Sequence, residues 1–181
     1  YLTIEKVISA RDGRYVLCIP NEEVQQEFRD LTASYLNVSE SNLSAMFNGL
    51  RYEERERFAQ SYADMLLSLP SYHDLKDENS YHVLFLGMCA WLSNEYEIKS
   101  NREAGKGRCD IILKAKKERL PSYVLEFKYL KEADEEELEA SARAAIDQIK
   151  ARRYDIELAG KVILVGLAHA GKEVRIAWQE R

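Results

Sequence analysis

Glycine, proline and cysteine are scarce in this 181-residue chain, at eight, three and three residues. So little proline and glycine excludes a collagenous or low-complexity chain. Cys18, Cys89 and Cys109 lie far apart with no CxxC spacing. An odd, scattered set builds neither a disulfide framework nor a structural zinc site. Histidine is equally sparse, at positions 73, 82 and 169. No apolar run approaches the roughly twenty residues that span a bilayer, so no membrane partner is expected. No segment reads as a signal peptide. There is no GxxxxGK[ST] phosphate loop, and no Ser/His/Asp or Cys/His arrangement is evident. A reducing, cytoplasmic setting fits these absences. The formal net charge is −5, so the chain lacks the basic excess that marks many nucleic-acid binders.

What is present is a globular composition, 46% hydrophobic and 31% charged. The length suits one ordinary domain, or one with a smaller appendage. Residues 1–20 read as a β-hairpin: Tyr1 to Ile8 alternates loosely, Asp12-Gly13 lies in the turn, and Tyr15 to Ile19 returns. Asn21 then caps a helix with Glu22 and Glu23 in its first turn and Val24, Phe28, Leu31 and Tyr35 at helical spacing. A second helix starts near Ser39 or Ser41 and ends at Asn48-Gly49. A third, Tyr52 to Leu69, places Phe58, Tyr62, Met65, Leu66 and Leu69 on one face and stops at Pro70. None of this carries a chemical constellation, so residues 1–76 are expected to be a hairpin and helical connector packing onto the C-terminal part of the chain. The chain starts with Tyr rather than Met and is read as a piece of a longer protein.

From residue 77 the pattern changes. Asp77 to Ser93 is helical, with Tyr81, Leu84, Phe85, Met88 and Leu92 at apolar spacing. A strand near Tyr96 to Ser100 comes next, then a loop with Gly105 and Gly107, then strands Arg108 to Lys114 and Ser122 to Tyr129. The polar segment between those two strands carries Pro121 and reads as a turn. An acidic start, Glu132 to Glu139, leads into a helix to about Tyr154. Lys161 to His169 is apolar enough for burial on both faces, and Gly171-Lys172 turns into a last strand, Glu173 to Trp178. The order of helix, three strands, helix and two strands predicts an α/β domain over residues 77–181 with a mixed central sheet.

The densest chemistry lies on two neighbouring strands. Strand side chains alternate, so Glu126 and Lys128 share a face, while Tyr123, Leu125, Phe127 and Tyr129 share the other and read as core. If the two strands pair as a hairpin, Asp110 comes beside Glu126. Two carboxylates converging with one ammonium suit a divalent cation and phosphodiester hydrolysis. The plain alternative is a surface ion-pair cluster of Asp110 with Lys128. Arg108 shares the face of Asp110 and could meet a phosphate. Cys109, placed on the opposite face with Ile111 and Leu113, reads as core rather than nucleophile. Glu78 is either an acid complementing a helix dipole or a further ligand. His82, one turn later, either approaches the site or packs. Between Glu95 and Lys131 ten Lys/Arg face six acids. That basic stretch, with Arg102, Lys106 and Arg108, is either a solvated loop or a phosphate-contacting rim.

Asp110, then fifteen residues, then Glu126-Phe127-Lys128 resembles the PD-(D/E)XK nuclease superfamily. More narrowly, Gly107-Arg108-Cys109-Asp110, Glu126-Phe127-Lys128 and Gln148-Ile149 with Tyr154 resemble the nuclease-like domain that ends a family of AAA-ATPase-like bacterial proteins. The resemblance covers about Tyr81 to Trp178. It implies a restriction-endonuclease-like αβββαβ core with one extra strand. It implies Mg2+ or Mn2+ held by Asp110, Glu126 and the Phe127 carbonyl, with Glu78 as the candidate first-helix acid. Lys128 would be the catalytic lysine and Gln148 a supporting residue, with Tyr154 completing that motif and placed with Arg102, Lys106 and Arg108 toward nucleic acid. Nucleic acid, DNA foremost, would be the substrate, and an ATPase-like domain would precede this segment. The alternative is a catalytically silent module that binds nucleic acid or a protein partner for that ATPase-like domain.

Overall fold

A computed structural model describes residues 2–69, 75–104 and 107–181, with the side chains of residues 101–104, 107 and 108 left aside. Two strands, β1 (Thr3–Ser9) and β2 (Arg14–Cys18), form the expected antiparallel hairpin. Gly13 turns it at φ +63°, where a side chain would be strained. Three helices come next: α1 (Glu22–Leu36), α2 (Glu40–Arg51) and α3 (Arg55–Ser68). Asn21 caps α1 by accepting from the Val24 amide, and Ser39 caps α2 by accepting from that of Asn42. The predicted face of α3 is buried throughout. The predicted stripe of α1 is not: Leu31 and Tyr35 are exposed, and Gln25 and Ala33 take the inner positions instead. Gln25 can face inward because its amide donates to Ser93 at 2.9 Å.

The second half is α4 (Glu78–Met88), a short 3-10 turn (Cys89–Leu92), β3 (Tyr96–Ala104), β4 (Gly107–Ala115), β5 (Ser122–Tyr129), α5 (Glu135–Arg152), β6 (Val162–Ala170) and β7 (Glu173–Glu180). The five strands form one sheet in the order β3-β4-β5-β6-β7. Only β5 and β6 run parallel, joined by α5 as a crossover; the other pairs are antiparallel. β3 is longer than predicted and continues to Ala104. This is the mixed sheet of a restriction-endonuclease-like fold.

The sheet is covered on both faces. Tyr123, Leu125 and Phe127 of β5 and Ile163, Val165 and Leu167 of β6 join one core with α2, α3 and α4. Helices α2 and α3 of the first half therefore share a core with the sheet. Val124, Val162 and Leu164 face the other way, onto Ile146 and Ile149 of α5. Helix α5 can lie close because β6 carries Gly166 there. A Cβ at that position would collide with the carbonyl of Ala142 and the methyl of Ala145. Those two alanines make the contact; Ala140 and Ala144 of the same helix are exposed. Among the described residues no helix is long and apolar enough to cross a membrane.

Candidate active site

Strand β4 lies antiparallel to β5 with Ile111 opposite Leu125, Ile112 opposite Val124 and Leu113 opposite Tyr123. Beyond Ile111 the ladder gives way. The Phe127 amide donates to Asp110 Oδ2 at 2.9 Å, so the Asp110 carboxylate takes the place of a backbone acceptor. Its charge thereby lies close to Glu126, which it disfavours. The expected convergence of the two acids is present.

Glu126 is only 3% exposed. Its Oε1 accepts from Gln148 Nε2 on α5, and Lys128 Nζ lies 3.4 Å from the same oxygen. Its Oε2 is buried with no hydrogen-bond partner among the described residues. Burial, then the neighbouring Asp110 charge, push Glu126 up to about 7, with Lys128 partly opposing them. A carboxylate that is buried, half-unpartnered and next to another acid is only partly compensated by one lysine. Native structures rarely leave such an atom without a purpose.

Lys128 bridges two acids: Glu126, and Glu78 at 3.6 Å from the first turn of α4. Glu78 is thus at the site, in contact with the lysine. Among the described residues no three His, Cys, Asp or Glu side chains converge as metal ligands. Glu78 reaches the site through Lys128 and does not join Asp110 and Glu126 as a third converging carboxylate among the described residues. The plain surface pair of Asp110 with Lys128 does not form either; the lysine goes to Glu126 and Glu78 while Asp110 holds the strand.

Gln148 reaches the site because α5 sits tightly on Gly166, whose partner across the parallel ladder is Glu126. Asp134 and Glu137 start that helix with a reciprocal capping box. Tyr154 lies six residues beyond Gln148, and burial pushes its phenol up, with Gln148 close enough to oppose this. Its ring is 3% exposed, within the α5-side core. This corrects the expectation of a nucleic-acid contact: the residue is walled in by apolar neighbours on the α5 side of the sheet.

Two of the proposed phosphate contacts are placed by backbone alone. Arg102 lies opposite Cys109 and Glu103 opposite Arg108 in the β3–β4 ladder, next to Asp110 in sequence. Lys106 lies outside the described residues. His82 is a packing residue: it is 3% exposed, with Nε2 2.8 Å from Ser100 Oγ and its ring edge-on to Phe127. Cys109 is buried as expected, and burial pushes its thiol up, so it is no nucleophile. Its side, however, is the reverse of that predicted. It packs with Ile112 and Val124 toward α5, while Ile111 and Leu113 face the helices. Regular alternation breaks where Asp110 turns its carboxylate to the Phe127 amide.

Sequence reasoning missed two residues, Gly166 and His169. A glycine inside a fully apolar strand is a signal of close approach. His169 gives no signal in the sequence, because its partners come from distant segments.

No curated protein matches the chain. The family model of the PD-(D/E)XK nuclease superfamily matches residues 76–179, which include every site residue above. Its members generally use divalent metals and act on nucleic acid. With an acid on β4, Glu-Phe-Lys on β5 and a glutamine from the next helix meeting at one point of this sheet, the chain belongs to the PD-(D/E)XK nuclease superfamily.

Proposed function

We propose that the chain hydrolyses phosphodiester bonds in DNA at Asp110, Glu126 and Lys128, with Mg2+ or Mn2+ bound. The observation that carries this reading is Glu126 Oε2, a buried carboxylate oxygen without a partner among the described residues, beside a second acid. A structural ion pair has no use for such an oxygen, and a cation does. The donors are all oxygens, which suits a hard divalent ion. Asp110 and Glu126 would hold it, with the Phe127 carbonyl as a further donor; when bound, it would polarise a phosphate oxygen and lower the pKa of a water.

The chain's own residues do the rest. Gln148 pins Glu126 Oε1 and leaves Oε2 free for the ion. Lys128 keeps a positive charge at the site to offset charge developing on the phosphate. Asp110, fastened to the Phe127 amide, fixes one ligand to the strand that carries the other two groups. Arg102, Lys106 and Arg108 would contact flanking phosphates. The resemblance of the three motifs also supports an ATPase-like domain accompanying this segment, and the free, scattered cysteines fit a cytoplasmic setting.

The test is cleavage of supercoiled plasmid in Mn2+ by wild type, Asp110→Ala and Lys128→Ala, with circular dichroism confirming the fold. Both variants are expected to lose activity, Lys128→Ala by roughly 10²–10³-fold, the scale of one electrostatic stabiliser. Undiminished cleavage by either refutes the mechanism.

A further inference from the structure

The end of β5 that carries Lys128 is held by one buried residue. His169 sits opposite Tyr129 in the parallel ladder and is fully buried. Its backbone carbonyl accepts from the Leu130 amide at 2.9 Å. Its ring Nδ1 lies 3.3 Å from the carbonyl oxygen of Lys128. Together these bonds bracket the three residues 128–130 from one side chain and its own main chain. On the far side of the ring, Nε2 lies 3.0 Å from the Tyr62 hydroxyl of α3. Tyr81 stacks on the ring with centroids 4.0 Å apart, and Phe127 is near-parallel at 5.9 Å.

The chemistry of the partners settles the protons. A carbonyl oxygen only accepts, so Nδ1 carries the hydrogen. The ring is fully buried against a hydroxyl, a carbonyl and other rings, which disfavours its charged form, so the neutral tautomer fits and Nε2 is bare. Tyr62 must then donate. Tyr62 O–H, His169 and Lys128 C=O form a directed chain from α3 to the lysine-bearing residue. Filling this space needs no polar group: Phe58 and Phe85 lie against Tyr62, and Phe127 against His169. A buried Tyr–His pair costs desolvation that an apolar ring avoids. What it adds beyond packing is a fixed direction for the Lys128 peptide.

We propose that His169 is a positioning residue for Lys128, fastening its carbonyl to the Tyr62 hydroxyl so that the connector helices set where the lysine stands. The inference rests on Lys128 being the catalytic lysine. It gives residues from the first half of the chain a part in the site.

The test uses the whole chain in His169→Phe, His169→Asn, Tyr62→Phe and Lys128→Ala forms, with single-turnover DNA cleavage in Mn2+, Mn2+ calorimetry and 15N NMR of the histidine rings. His169→Phe is expected to lower the maximal rate about tenfold, roughly 1.4 kcal/mol and the scale of one hydrogen bond, while KM and Mn2+ affinity stay within about twofold. His169→Asn, whose amide can donate to the same carbonyl, should recover most of the rate. In the wild type, Nδ1 should be protonated and Nε2 bare, and Tyr62→Phe should perturb the Nε2 signal. If His169→Phe fails to fold, Tyr62→Phe and the tautomer decide the matter. Wild-type rates in His169→Phe or, failing its folding, in Tyr62→Phe, with Lys128→Ala inactive, or the opposite tautomer, overturn the inference. Full activity in Lys128→Ala overturns instead the reading of the site on which it rests.

Discussion

Replacing Glu126 by Gln should make the metal-free protein more stable at pH 8 while removing its site. The ordinary value for this carboxyl is 4.5, and in the fold it is pushed up to about 7. At about 1.4 kcal/mol per pH unit the difference is about 3 kcal/mol. The side chain is 4% exposed, so little solvent screening reduces it. The sign comes from proton uptake. Between 4.5 and 7 the folded state holds a proton that the unfolded state has released, so stability is full below 4.5, falls as pH rises through 7 and is flat above. Glutamine is neutral throughout and keeps an oxygen to accept from Gln148. Thermal melts of both proteins in EDTA should therefore nearly coincide at pH 4 and separate by pH 8, with the variant melting about 10 °C higher at roughly 3 °C per kcal/mol. Subtracting the two curves cancels other groups, including His169, whose pull runs the opposite way. Mn2+ at pH 8 should raise the wild-type melting temperature and leave the variant unmoved. A gap that does not change with pH, or a variant less stable at pH 8, would refute the reasoning.

The same contacts give three further expected outcomes. Gly166→Ala forces a methyl into the Ala142 carbonyl; urea unfolding should show a loss of about 1–3 kcal/mol, and cleavage should fall because Gln148 moves off Glu126. Gln148→Leu removes the donor to Glu126 Oε1, so the pH at which Mn2+ binding is half-maximal should rise, read by titration across neutral to mildly alkaline pH. Lys128→Met removes the charge that partly holds Glu126 down, which should raise the Glu126 midpoint in 13C NMR of the carboxyl.

Much of the site was legible because it obeys two short periods. Glu126 and Lys128 share a face through strand alternation, and Asp110 meets them because β4 and β5 pair in the only way a short turn allows. Gln148 was legible by motif, but the reason it reaches the sheet, a missing side chain at Gly166, is a packing fact between α5 and β6. Where prediction missed, three-dimensional context decided. Cys109 lies on the other face because Asp110 bonds to the Phe127 amide and breaks alternation. Leu31 and Tyr35 face out because Gln25 finds Ser93. Tyr154 is enclosed by Ile146, Ile149 and Leu158, although nothing in its sequence neighbourhood marks it as buried. His169 draws its partners from α3, α4 and β5, so no local pattern could disclose it.

The central claim is that Asp110 and Glu126 hold a divalent ion, and calorimetric Mn2+ titration at pH 8 of wild type and Asp110→Ala, with a short DNA duplex present, tests it most directly. Binding by the wild type that disappears in the variant is the predicted result. No binding by the wild type, or equal binding by both, would contradict it.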